Sequence, residues 1–151
     1  MNTCKQILSK FSKLIYPKNV DIKHDTMVPD NITKTQNEIG TRPWGYYETV
    51  YGDNTSEHKV KRIVVFQNKR LSLQSHNKRV EHWTIVKGNA KIQIGEEYYN
   101  VGPNIHVYIP VNTVHRIENV GTDLLVFIET QIGDYLGEDD IIRYEDDFGR
   151  Q

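Results

Sequence analysis

The feature that most constrains this chain is a succession of short runs rich in β-branched and aromatic residues, starting at Tyr46. The runs span Tyr46–Tyr51, Lys59–Phe66, Arg70–Gln74, His82–Val86, Ala90–Ile94, Tyr98–Val101, His106–Ile109, Arg116–Asn119 and Leu124–Thr130. Between them stand turn formers: Gly52-Asp53-Asn54, Asn68, Gly88-Asn89, Gly95, Gly102-Pro103-Asn104 and Gly121. Runs this short suit strands rather than helices, and a spacing of roughly 8–12 residues predicts an antiparallel sandwich or barrel. No repeat of fixed period interrupts that reading. The chain has 151 residues, enough for one domain that buries roughly 70% of its unfolded surface without disulfide staples.

The first 40 residues differ in character, being polar and rich in Lys, Asn and Thr. Within them Ile7, Leu8, Phe11, Leu14 and Ile15 recur at helical spacing, which predicts a short amphipathic helix over about residues 4–16, stopped by Pro17. Such a helix suits an arm laid on its own domain or on a partner subunit; its lysines leave a membrane-surface helix as the alternative. Residues 17–40 read as an irregular connector and residues 41–151 as the domain proper. The tail, Gly137–Arg150, carries six acidic residues and reads as a solvated cap with one short helix.

Charge and cysteine content narrow the classes of function. The net charge of −1 argues against a broad nucleic-acid face, which needs a basic excess, and leaves room for a local basic pocket. Cys4 is the single cysteine, so neither an internal disulfide nor a Cys-rich zinc site can form. No apolar run approaches the ~20 residues that cross a bilayer. Lys5, Lys10, Lys13 and Lys18 break up any secretory signal. The expectation is a cytoplasmic protein with no membrane and no nucleic-acid partner.

Two stretches carry chemistry. In Leu71–Gly88, Gln74 and His76 are two residues apart and share a strand face, and Glu81 follows after a short excursion. In Gly102–Asn119, His115 stands just after a turn built by Pro110 and Asn112. A Gln/His pair on a strand is also ordinary polar surface. His82, adjacent to Glu81, falls on the opposite face and suits a structural hydrogen bond. Trp83, Tyr108 and Phe127 read as core, and His24, His58 and His106 as structural or exposed. With Gln74 and His76 inward, Leu71 and Leu73 would form an outer apolar face covered by the arm or by a second subunit, which predicts a homodimer.

These stretches resemble the two cupin motifs. Gln74, His76, Glu81 and Gly88 fit the spacing of the first; Pro110, Asn112, His115 and Asn119 fit the second. Asn112 stands where Gly is usual and tolerates the same left-handed conformation. Six further stretches narrow the resemblance: Arg42-Pro-Trp-Gly-Tyr, Leu71-Ser-Leu-Gln-x-His, Arg79-x-Glu-His-Trp, Tyr108-Ile-Pro, His115-Arg and Tyr135-Leu-Gly-Glu-Asp-Asp-Ile. Together they are similar to the C-terminal cupin domain of type II mannose-6-phosphate isomerases, over roughly 110 residues. That domain is often fused behind a guanylyltransferase, whose Gly-rich nucleotide loop has no counterpart in this sequence. One departure is clear: the family usually has three consecutive His residues where this chain has His76-Asn77-Lys78.

The resemblance implies an all-β double-stranded β-helix (jelly roll). It implies one divalent metal, Zn first with Mn, Fe, Co or Ni open, held by Gln74, His76, Glu81 and His115. Catalysis would involve Arg79 and Glu81. A sugar phosphate would meet Arg79 first, then Arg42, Lys78 and Arg143, although Arg79 could equally pair with Glu81. The activity implied is the interconversion of mannose 6-phosphate and fructose 6-phosphate. A cupin that binds a sugar phosphate or nucleotide sugar without turnover, and a cupin enzyme of other chemistry, are the alternatives.

Overall fold

The structure is a computed structural model, and it describes residues 38–150. Eleven strands, β1 to β11, run Ile39–Arg42, Gly45–Tyr51, His58–Val65, Leu73–His76, Arg79–Lys87, Ala90–Ile94, Glu97–Val101, His106–Ile109, His115–Asn119, Leu125–Gly133 and Ile141–Glu145. They form two antiparallel sheets, one ordered β1-β2-β3-β10-β5-β8 and the other β11-β4-β9-β6-β7. Consecutive strands often lie in different sheets, which is how a jelly roll closes its core. The expected all-β architecture is what the described residues adopt. Among them no helix is long and apolar enough to cross a membrane. The helix expected over 4–16 lies outside the described residues.

Alternation builds the core. Along β5, Arg79, Glu81, Trp83 and Ile85 are buried while His82 and Val86 are exposed. Along β10, Leu125, Phe127, Glu129 and Gln131 point inward in the same two-residue rhythm. Trp83, Ile85 and Phe127 from the first sheet meet Ala90, Ile92 and Ile117 from the second in one apolar cluster. That cluster fills one part of the sandwich. The charged inward residues of β5 and β10 occupy the rest, and there the site forms.

Several expectations need correction. Tyr108 is half-exposed on edge strand β8, where it touches His82 across the register, so it is not core. The strand expected over Arg70–Gln74 runs instead over Leu73–His76. Leu71, ahead of it, escapes the strand's alternation and packs in the core cluster; Leu73 is itself only 9% exposed. Leu71 therefore does not belong to the outer face expected of it, while Leu73 lies in a groove with Tyr98 and Arg116, away from the cavity that Gln74 lines. β1 takes up the last two residues of the stretch read as connector. The acidic tail is not a solvated cap: after a 3-10 turn at Glu138–Asp140 it forms β11, which pairs with β4.

Candidate metal centre

His76, Glu81 and His115 come together from three strands. β4 supplies His76 and β9 supplies His115, while Glu81 enters from β5 in the opposite sheet. One ligand atom from each lies within 4.8 Å of the others, and all three residues are buried. His76 Nε2 is 3.0 Å from Glu81 Oε1, and His115 Nε2 is 3.6 Å from Glu81 Oε2. His115 Nδ1 donates to the Thr113 carbonyl at 2.8 Å, which fixes the tautomer and leaves Nε2 as a lone pair. That Nε2 is buried and has no hydrogen-bond partner. Burial lowers the His115 imidazole's pKa, outweighing the opposing pull of the Glu81 charge.

Glu81 is held as an anion. Burial alone would push its carboxyl up. The hydrogen bond and charge of His76, joined by the Arg79 guanidinium, outweigh burial and hold it below the usual carboxylate range. Trp83 Nε1 donates to Glu81 Oε2 at 3.1 Å. Arg79 Nε donates to Oε1 at 3.1 Å, and Arg79 Nη1 donates to the Gly137 carbonyl at 2.8 Å. A neutral imidazole lone pair without a partner, beside an ionised carboxylate and a second imidazole, is a donor set that fits a divalent cation. Gln74 pairs in register with His115 and, with Glu81, lines a cavity beside the group; its Oε1 accepts from Ser72 Oγ at 2.7 Å.

The cavity beside Glu81 offers about 50 Å³ to the centre of a water-sized sphere and is open to solvent. Gln74, Arg79 and Glu81 form part of its wall, and Arg42 and Arg143 form another part. Arg42, Arg79 and Arg143 are thus brought together. Lys78 is not: it is exposed, with its ammonium 5.1 Å from the Tyr135 ring centre, and it does not line the cavity. Asn77 is exposed as well, and the backbone N–H groups of both residues donate to Asp140. The two positions where the family's His residues are replaced therefore stand outside the cavity wall.

Sequence reasoning missed four charged residues of the wall: Lys61, Glu129, Glu138 and Arg150. Lys61 pairs with Glu138. Glu129 is 5% exposed and accepts from Trp83 Nε1 at 3.2 Å and from Gln131 Nε2 at 2.7 Å. Burial, reinforced by the Glu81 charge, pushes its carboxyl up to about 8. A signal existed, because Glu129 and Gln131 interrupt an apolar run at the spacing that turns both inward.

The sequence matches the family described as "Mannose-6-phosphate isomerase C-terminal" over residues 29–146. It is 47% identical over 109 residues to the xanthan biosynthesis protein XanB of Xanthomonas campestris pv. campestris, covering 72% of this chain and 23% of that protein. It is 46% identical over 119 residues to the alginate biosynthesis protein AlgA of Pseudomonas syringae pv. tomato, with 78% and 24% covered. It is 43% identical over 109 residues to the mannose-1-phosphate guanylyltransferase ManC of Salmonella typhimurium, with 72% and 22% covered. The chain thus spans about a quarter of the length of these curated relatives. Among solved structures, the capsular polysaccharide assembling protein CapF of Staphylococcus aureus superposes with a TM-score of 0.63 at 18% identity, over 73% of this chain and 34% of that one. A cupin-2 domain from Rhodospirillum rubrum gives 0.54 at 18% identity, over 63% and 67%. At such identities the likeness is one of fold. Motifs, fold and family match agree: the chain belongs to the mannose-6-phosphate isomerase C-terminal family and folds as a cupin.

Proposed function

We propose that this chain is a metal-dependent isomerase that interconverts mannose 6-phosphate and fructose 6-phosphate. The observation that carries the reading is the buried His76–Glu81–His115 group, whose Glu81 also lines a cavity walled by arginines. His76, Glu81 and His115 would hold one divalent ion, Zn first, with Gln74 beside them as a fourth donor. When bound, that ion supplies positive charge near the sugar's C1 and C2 oxygens, where negative charge develops as the proton moves between those carbons.

The chain's own groups divide the remaining work. Glu81, kept ionised by its neighbours, serves as a ligand rather than as the proton carrier. Arg79 is a positioning residue, since it holds Glu81 and ties it to the Gly137 carbonyl. Glu129, buried in the same wall with its carboxyl near 8, has the proton affinity a neutral-pH acid or base needs. The apolar cluster behind Trp83 shields the site from water. The family's second and third His are replaced here by Asn77 and Lys78, both exposed and neither part of the cavity wall.

The test is interconversion of the two sugar phosphates by purified protein loaded in turn with Zn, Mn, Co, Ni or Fe. Turnover that needs metal and drops at least a hundredfold in Glu81→Gln is the expected result. A folded, metal-loaded protein without turnover in any metal would sink the isomerase and favour the non-catalytic binding module.

A further inference from the structure

Five cations line the cavity, Arg42, Lys61, Arg79, Arg143 and Arg150, against three carboxylates, Glu81, Glu129 and Glu138. Their pairing is uneven. Arg79 is taken by Glu81 and Lys61 by Glu138. Arg150 is held from behind by Asp146, which accepts from its backbone N–H at 2.7 Å, from Nε at 3.2 Å and from Nη2 at 2.5 Å. These bonds leave Arg150 Nη1 free of Asp146. Among the described residues, Arg42 donates only to neutral oxygens, the Thr41 carbonyl at 2.9 Å and the Tyr47 hydroxyl at 3.4 Å. The Arg143 side chain makes no hydrogen bond among the described residues, and its Nε is buried without a partner.

Arginines crowded without counter-ions are costly unless an anion joins them. Burial pulls the Arg143 guanidinium down from its ordinary value, and the Arg150 and Arg42 charges add to that, against Glu138 and Asp146. Both of those carboxylates are already committed, to Lys61 and to Arg150.

Register sets the direction of the site. Arg143 on β11 pairs with Gln74 on β4, and Gln74 pairs with His115 on β9. Two strand spacings of about 4.8 Å put the Arg143 backbone about 10 Å from that of His115. Arg143 thus stands two strands away from His115, with Gln74 between them.

We propose that Arg42, Arg143 and Arg150 form a phosphate subsite, completed by the C-terminal segment Asp146–Arg150, that seats a sugar phosphate with its phosphate on the β11 side of the cavity. Placing the sugar's first carbons toward His76, Glu81 and His115 rests on the isomerase reading; the anion site does not. Arginine forks bind phosphate oxygens bidentately, and two of these three lack a carboxylate that would have to be displaced.

The experiment measures binding of inorganic phosphate, mannose 6-phosphate and unphosphorylated mannose to the full, metal-loaded chain by calorimetry. The variants are Arg143→Gln, Arg150→Gln, Arg143→Lys and, as a surface control, Lys78→Gln. The expected result is a Kd for both phosphates raised at least tenfold in Arg143→Gln and Arg150→Gln. Arg143→Lys should lose less, Lys78→Gln should change less than twofold, and mannose should bind equally to all. Retained metal stoichiometry identifies the folded variants, and Arg143→Lys keeps the test open if Arg143→Gln fails to fold. Wild-type protein that binds neither phosphate would overturn the proposal. So would arginine variants within twofold of wild type, or a Lys78→Gln loss as large as theirs. Because phosphate binding requires no turnover, an inactive isomerase and a misassigned subsite give different results.

Discussion

Glu81 and Glu129 share one indole N–H, that of Trp83, yet their surroundings send their protons opposite ways. Glu81 lies against two imidazoles and a guanidinium and stays ionised. Glu129 lies against Glu81 and a neutral amide and holds its proton to about 8. The consequence for stability has a definite sign. Below the ordinary carboxyl value of 4.5, the folded and unfolded chains both keep the Glu129 proton. Above it the unfolded chain gives the proton up first, so stability falls as pH rises toward about 8. In metal-stripped protein, Glu129→Gln should flatten the loss of stability between pH 5 and 8, a few kcal/mol at most, as read by urea denaturation. An unchanged slope would mean that Glu129 ionises like an ordinary carboxyl.

At the scale of elements, the turns do what their residues demand. Asn112, where the family has Gly, adopts φ 59, the left-handed conformation that Asn tolerates better than most side chains. Gly88, between β5 and β6, has φ 88, and a Cβ there would lie 2.8 Å from the Leu124 carbonyl oxygen. Gly88→Ala should therefore cost about 1–3 kcal/mol, seen as a lower denaturation midpoint, whereas Asn112→Gly should be nearly neutral. β11 was the element least visible in the sequence. Its Ile141, Ile142 and Tyr144 are diluted by charge, and its pairing with β4 supplies the hydrogen bonds that its composition does not advertise. Edge strand β8 misled in the other direction, because an aromatic in a strand reads as core until the sheet order places that strand at the rim.

At the scale of the whole molecule, the site draws on both sheets, so a bound ion would clamp them together. Saturating metal should raise Tm in proportion to its binding energy, about 4 kcal/mol at a thousandfold excess over Kd. A chelator should reverse that gain, and His115→Ala should abolish it. Calorimetric scans with and without metal check this, and a Tm indifferent to metal would contradict the clamp. The apolar cluster carries the remainder of the stability. Phe127 is fully buried at its centre, and Phe127→Ala should cost about 3–5 kcal/mol without changing the charge of the cavity.

The sequence by itself determined the β architecture and the positions of most turns, which are written in local spacing, and its resemblance to the cupin motifs singled out His76, Glu81 and His115, which the fold brings together. A two-residue period assigns a strand face, and a Gly or Asn marks a left-handed turn. It could not show that Arg42, Arg143 and Arg150, more than a hundred residues apart at their extremes, share one cavity wall. It could not show that the acidic tail walls that cavity, or that Asn77 and Lys78 lie outside it. Those facts follow from which strands become neighbours. Strand order is decided by burial and pairing summed over the whole chain, and no local window contains that sum.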